Sequence, residues 1–174
     1  MQSPKKWYFA ALLIIVLALA TVATRVKGDS ATPALEKFQA DGTAAVSPDG
    51  NSSAGTMKGN EIGTATITDT GYAGSGLGST GNPPDFCSLG GGVVTITTKD
   101  GSTLNLARQG TLCTISGDGI TDGVIGNEVY LITGGTGRFA GATGGGNYTF
   151  SINNGVVRFH IDGNIQAPGD RDSR

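Results

Sequence analysis

Few residues in this chain have the type and spacing to do chemistry. The densest group lies on GVVRFHIDG, residues 155–163. Strand alternation there puts Arg158, His160 and Asp162 on one face and Val157, Phe159 and Ile161 on the other. A polar face turned into a lumen could bind an anion or carry acid–base chemistry, because a histidine titrates near neutral pH. Turned to solvent, the same three are a hydrated surface with a weak ion pair, and the apolar face fills a core. Glu128 and Tyr130 alternate with Val129 and Leu131 in the same way, and suit either a pocket or a solvent face. Asp118 and Asp122 in SGDGITDG could join calcium, but two acids fall short of six to eight oxygen ligands, and Asp-Gly turns explain them. One histidine in the whole chain leaves transition-metal chemistry without ligands, so no cofactor is expected.

A second candidate is the glycine-rich stretch LITGGTGRFAGATGGG, residues 131–146, which follows a strand-like run. A phosphate loop would need a helix directly after its glycines, whose free N–H groups hold the phosphate. Here RFAGATGGGNYTF follows, and no Gly-Lys-Ser/Thr closes the loop. A structural role fits better. Gly134, Gly135 and Gly137 permit positive φ or close backbone approach, and Gly141, Gly144, Gly145 and Gly146 let the chain bend into another strand. Phe139, the one large apolar residue of the loop, would plug an end of a barrel.

The stretch GGTGRFAGATG, Gly134 to Gly144, resembles the Gly-Gly-Thr-Gly-x-Phe-x-x-Ala-x-Gly signature of the dirigent proteins, which share a β-barrel fold with the allene oxide cyclases. The matching residues are Gly134, Gly135, Thr136, Gly137, Phe139, Ala142 and Gly144. The likeness extends over roughly Glu61 to Ile165, and is strongest toward uncharacterised exported bacterial barrels of the allene-oxide-cyclase-like type. It implies a β-barrel and, from the habit of the family, a homo-oligomer. Thr143 stands where dirigent proteins usually carry arginine, which counts against phenoxy-radical coupling.

The elements that must position these residues are strands. EIGTATITDT alternates from Glu61, GGVVTITTKDGSTLNLARQG reads as a hairpin turned at Asp100-Gly101, and NYTFSINNGVVRFHIDGNIQ as one turned at Asn154-Gly155. TLCTISGDG and DGVIGNEVYLIT are further strand candidates, while GYAGSGLGSTGNPPDF interrupts with turn formers. No convincing amphipathic helix follows residue 45. The expected fold is all-β, an antiparallel barrel, with a sandwich as the rival; closure removes exposed edges and regular glycine relieves bends.

The N-terminus begins with Lys5 and Lys6, followed by an uncharged run from Trp7 to Ala23. It reads as a secretory signal peptide or, uncleaved, as a transmembrane helix anchoring the chain. Either places the folded part outside the cytoplasm. Two cysteines in an exported chain, Cys87 and Cys113, read as one disulfide. The expected organisation is a leader or anchor over 1–27, a flexible polar linker over 28–60, a barrel over 61–167 and a polar tail over 168–174. A formal charge of -2 and 15% charged residues argue against nucleic acid. Two functions remain: non-enzymatic binding of a small apolar ligand or a surface role, and an isomerase or cyclase acting on a lipid-like or aromatic substrate inside the barrel.

Overall fold

A computed structural model describes residues 34–79, 86–116 and 122–166. Eight strands run in chain order: β1 Glu36–Val46, β2 Ser52–Gly59, β3 Gly63–Ser79, β4 Phe86–Thr98, β5 Thr103–Ser116, β6 Asp122–Gly135, β7 Thr143–Asn153 and β8 Val156–Gln166. Each pairs antiparallel with the next, and β1 closes on β8 from Glu36↔Ile165 to Ala45↔Val156. The result is an up-and-down barrel without a sandwich's open edges. The turn at Asn154-Gly155 takes φ of 51° and 73°, both left-handed, as a two-residue hairpin requires.

Four sequence readings are corrected. The polar linker expected over 28–60 instead supplies two barrel strands, β1 and β2. Their inward positions are mostly small, and the space where Gly42 would carry a side chain is taken by the Phe159 ring. The interruption expected at GYAGSGLGS is a continuation of β3 to Ser79, with register shifts between Ala73 and Gly78 accommodating it. TLCTIS is the second half of β5 and not a separate strand, because Gly110 lets the chain run straight through its pairing with Glu128. A membrane-spanning helix is corrected as well: among the described residues no helix is long and apolar enough to cross a membrane. The leader, 1–27, the tail, 168–174, and Asp118 lie outside the described residues.

The end where β6 turns into β7 is filled by packed side chains. Phe139, on the short 3-10 turn Gly137–Phe139, is 3% exposed and belongs to the same core cluster as Phe38, Ile62, Leu104, Ile132 and Ile165. It is the plug that the sequence suggests. Gly144 enters β7 at φ of 141°, a conformation closed to side-chain-bearing residues, with the Asn164 carbonyl oxygen where a Cβ would sit. Burying each large aliphatic or aromatic side chain of this core contributes roughly 1.5–3 kcal/mol.

The outer wall is divided by charge. Lys37, Asp41, Lys58, Arg158, His160 and Asp162 occupy β8, β1 and β2. Outside the turns that carry Lys99, Asp100 and Arg138, the outward strand positions from Thr64 on β3 to Ser151 on β7 carry no charged side chain among the described residues. Val93, Val129 and Leu131 stand there 54%, 60% and 66% exposed.

Candidate functional site

The end of the barrel opposite Phe139 is formed, among the described residues, by the β1–β2 turn and the adjoining ends of β3, β4, β5, β7 and β8. Three inward positions there are ionic. Asp69 continues the buried face of Ala65 and Ile67 on β3, Arg108 continues that of Leu104 and Leu106 on β5, and Glu128 precedes Tyr130 and Ile132 on β6. Their side chains meet across the lumen. Arg108 donates from Nε to Asp69 Oδ1 at 3.2 Å, and from Nη2 to Oδ1 and Oδ2 at 2.8 and 2.9 Å. Its Nη1 donates to Glu128 Oε2. The guanidinium reaches β3 by passing over β4, where Gly92 stands; a Cβ on Gly92 or Gly71 would come within 3.0 Å of Nη2. Tyr148 and Phe150 flank it, with ring centroids 5.3 and 5.5 Å from Cζ, in cation–π range. Tyr148 is itself stacked on Phe159 at 5.9 Å.

Two carboxylates share one guanidinium in a water-poor place. The side chains of Arg108 and Glu128 are 5% and 0% exposed. Glu128 Oε1 has no hydrogen-bond partner. Burial raises the pKa of both Asp69 and Glu128 above the ordinary carboxylate range, although Arg108 pulls each down. For Arg108, burial opposes the charge, but Asp69 and Glu128 more than offset it and hold it protonated.

A group whose pKa is raised on folding contributes stability in full below its unfolded pKa, and that stability is lost as pH rises through the folded value. Glu128→Gln removes the less satisfied of the two carboxylates. The variant should gain stability over wild type at pH 8 and lose that advantage by pH 4, as read by urea unfolding at each pH. A deficit that is largest at pH 8 would mean that the ionised Arg108–Glu128 bond outweighs its burial cost.

Above the cluster lies a cavity of about 220 Å³. Val46, Leu112, Phe150, Ile152 and Val157 wall it, Asn51 and Ser53 contribute to its polar side, and Asp69 and Arg108 also line it.

The sequence candidates separate. Glu128 and Tyr130 point inward, whereas Arg158 and His160 are exposed on the outer wall. His160 Nδ1 lies 2.7 Å from Asp41 Oδ1 in a solvent-exposed pair, the kind that contributes at most about 1 kcal/mol. Asp162 accepts from Gln39 Nε2 at 2.9 Å. The polar face of β8 is therefore the hydrated one, and Val157, Phe159 and Ile161 are buried. Tyr130 is 1% exposed; burial, then the nearby Asp162, push its pKa to about 12, so it stays a neutral phenol. Its hydroxyl has no hydrogen-bond partner. Among the described residues no three His, Cys, Asp or Glu side chains are grouped to hold a metal ion.

Comparison with protein-family models, curated proteins and solved structures finds no match. The site is thus read from its own geometry. Sequence reasoning missed Asp69 and the pairing role of Arg108. The available signal was a charged residue prolonging an apolar alternation: Ala65, Ile67, Asp69 on one strand and Leu104, Leu106, Arg108 on another. Such residues, set at neighbouring heights of one barrel, face the lumen together.

Proposed function

We propose that this chain is an exported ligand-binding barrel that takes a small, mostly apolar molecule into the cavity above Asp69 and Arg108. The observation that carries this reading is the apolar-walled cavity lined at depth by Asp69 and Arg108. Ligand sites are usually concave and mostly apolar, with a few convergent polar groups. At about 220 Å³ the cavity is smaller than the roughly 300–1,000 Å³ of sites for drug-sized ligands, so it suits a small molecule. Export is supported by the basic–apolar leader and by the disulfide, Cys87–Cys113. The likeness to the dirigent and allene-oxide-cyclase barrels is part of the proposal, and rests on Gly134–Gly144 together with the closed barrel. Of the four candidates named for the cyclase alternative, Arg158 and His160 stand on the outer wall, away from the inward Glu128 and Tyr130, so these four do not form one acid–base set.

The test is ligand retention. Native mass measurement of protein purified from its own host should show a small molecule on the wild type. Leu112→Trp, which fills the cavity, should carry none while keeping its melting temperature within a few degrees. Equal retention by Leu112→Trp would place the ligand elsewhere.

A second reading, a surface role through self-association, is favoured by the uncharged outer wall. Contiguous exposed apolar area of this kind often marks a protein interface. Val93, Ala107 and Leu131 lie in one cross-strand row, with Val129 in the next. On this reading the occupant is a second copy of the chain. Sedimentation should show association at tens of micromolar that Leu131→Lys reduces at least tenfold. A monomer at millimolar concentration removes this reading.

A further inference from the structure

The ligand's polar end can be specified further, on the basis of the cavity reading above. Around Arg108 the charges do not balance. Asp69 takes three of its hydrogen bonds and Glu128 a fourth, so two carboxylates meet one cation. Glu128 Oε1 is buried without a partner, which leaves one acceptor and one negative charge more than the guanidinium neutralises. Among the described residues, the cavity lining contains no other basic residue. Asp69, the carboxylate that does line it, keeps one lone-pair site, on Oδ2, free of Arg108.

We propose that the cavity selects an apolar molecule ending in a primary ammonium group, the ammonium resting against Asp69 and neutralising the surplus charge shared by Asp69, Arg108 and Glu128. Charge interactions strengthen away from bulk water, so the surplus is felt across the floor of the cavity even though Glu128 sits below its surface. A carboxylate ligand would add a third anion to the same place. An alcohol of the same shape would find the apolar walls and one acceptor, but no charge to neutralise.

Three probes of one shape separate these cases: cyclohexylmethylamine, cyclohexylmethanol and cyclohexanecarboxylate, titrated calorimetrically at pH 8 into the full-length protein. The amine should bind at least tenfold more tightly than the alcohol, and the carboxylate should show no binding. In Glu128→Gln, whose floor carries no surplus charge, amine and alcohol should bind within about threefold of each other, with alcohol affinity unchanged. Alcohol binding as tight as the amine in wild type, or carboxylate binding tightest, would overturn the ammonium assignment and leave the cavity reading standing. A tenfold amine preference that survives in folded Glu128→Gln would overturn the role given to the surplus charge. Failure of all three probes to bind would overturn the cavity reading itself.

Discussion

Arg108→Met is expected to destabilise the protein by about 3–5 kcal/mol, the range for breaking a buried ion pair from one side. The loss comes from what is left behind. Asp69 and Glu128 would face each other across the lumen with no cation, and Tyr148 and Phe150 would lose the group between them. For a domain of ordinary stability, about 5–15 kcal/mol, this is roughly a fifth or more of the total, and melting should fall by roughly 10–20 °C. The effect has a sign with pH. Without Arg108 both carboxyls hold their protons more strongly than in wild type, so the deficit should be greatest at pH 8 and shrink toward pH 4.5. Replacing all three residues, Asp69→Leu, Arg108→Met and Glu128→Leu together, should recover most of the loss, because the orphaned charges are gone. A melting temperature for Arg108→Met within 3 °C of wild type at pH 8 would show that the cluster is wetter and weaker than its burial implies.

Reduction of the Cys87–Cys113 disulfide is the second large effect. The two cysteines are directly paired across β4 and β5, and they join positions 26 apart in sequence. Closing a loop of that length restricts the unfolded chain by about 3 kcal/mol on the entropy model. The bond also fastens β4 to β5 near Gly91 and Leu112, which line the cavity. Melting should therefore fall by roughly 10 °C in reductant or in Cys87→Ser/Cys113→Ser. The β4–β5 turn at Thr98–Ser102 should survive, since it is held separately by Thr98 N–H to Ser102 O and Gly101 N–H to Thr98 O. Hydrogen exchange would resolve the two ends of the hairpin. An unchanged melting temperature, with both thiols titratable in the native protein, would contradict the bridge.

The legible parts of the fold were those in which local chemistry and barrel position agree. Asn154-Gly155 supplies its own left-handed turn, and Phe150 and Phe159 fall on the alternation of their strands and are buried. The strands β1 and β2 were hidden because their apolar periodicity is carried by small residues. Ala40, Gly42 and Ala44 look like linker, yet they line a lumen whose volume is filled from the opposite wall by Phe159. On β6 the usual rule is inverted. Val129 and Leu131 are the more apolar pair but face outward, while Glu128 and Tyr130 face inward, because Leu106↔Ile132 and Arg108↔Tyr130 fix the register. A one-residue slip would rescue two exposed apolar residues and break the core. Glu128 could be buried only because Arg108, two strand positions away on the neighbouring strand, supplies its cation, and a pair of that kind is invisible to any single-strand pattern.

The most direct measurement of the central claim, that the cavity above Asp69 and Arg108 is the ligand site, is a nitrogen-15 amide titration with cyclohexylmethylamine. Shifts should concentrate on Asn51, Ser53, Gly71, Gly91, Leu112 and Ile152, the residues around the cavity. Shifts confined to Val93, Val129 and Leu131 on the outer wall, or no shifts with millimolar amine, alcohol or carboxylate probe, would contradict it.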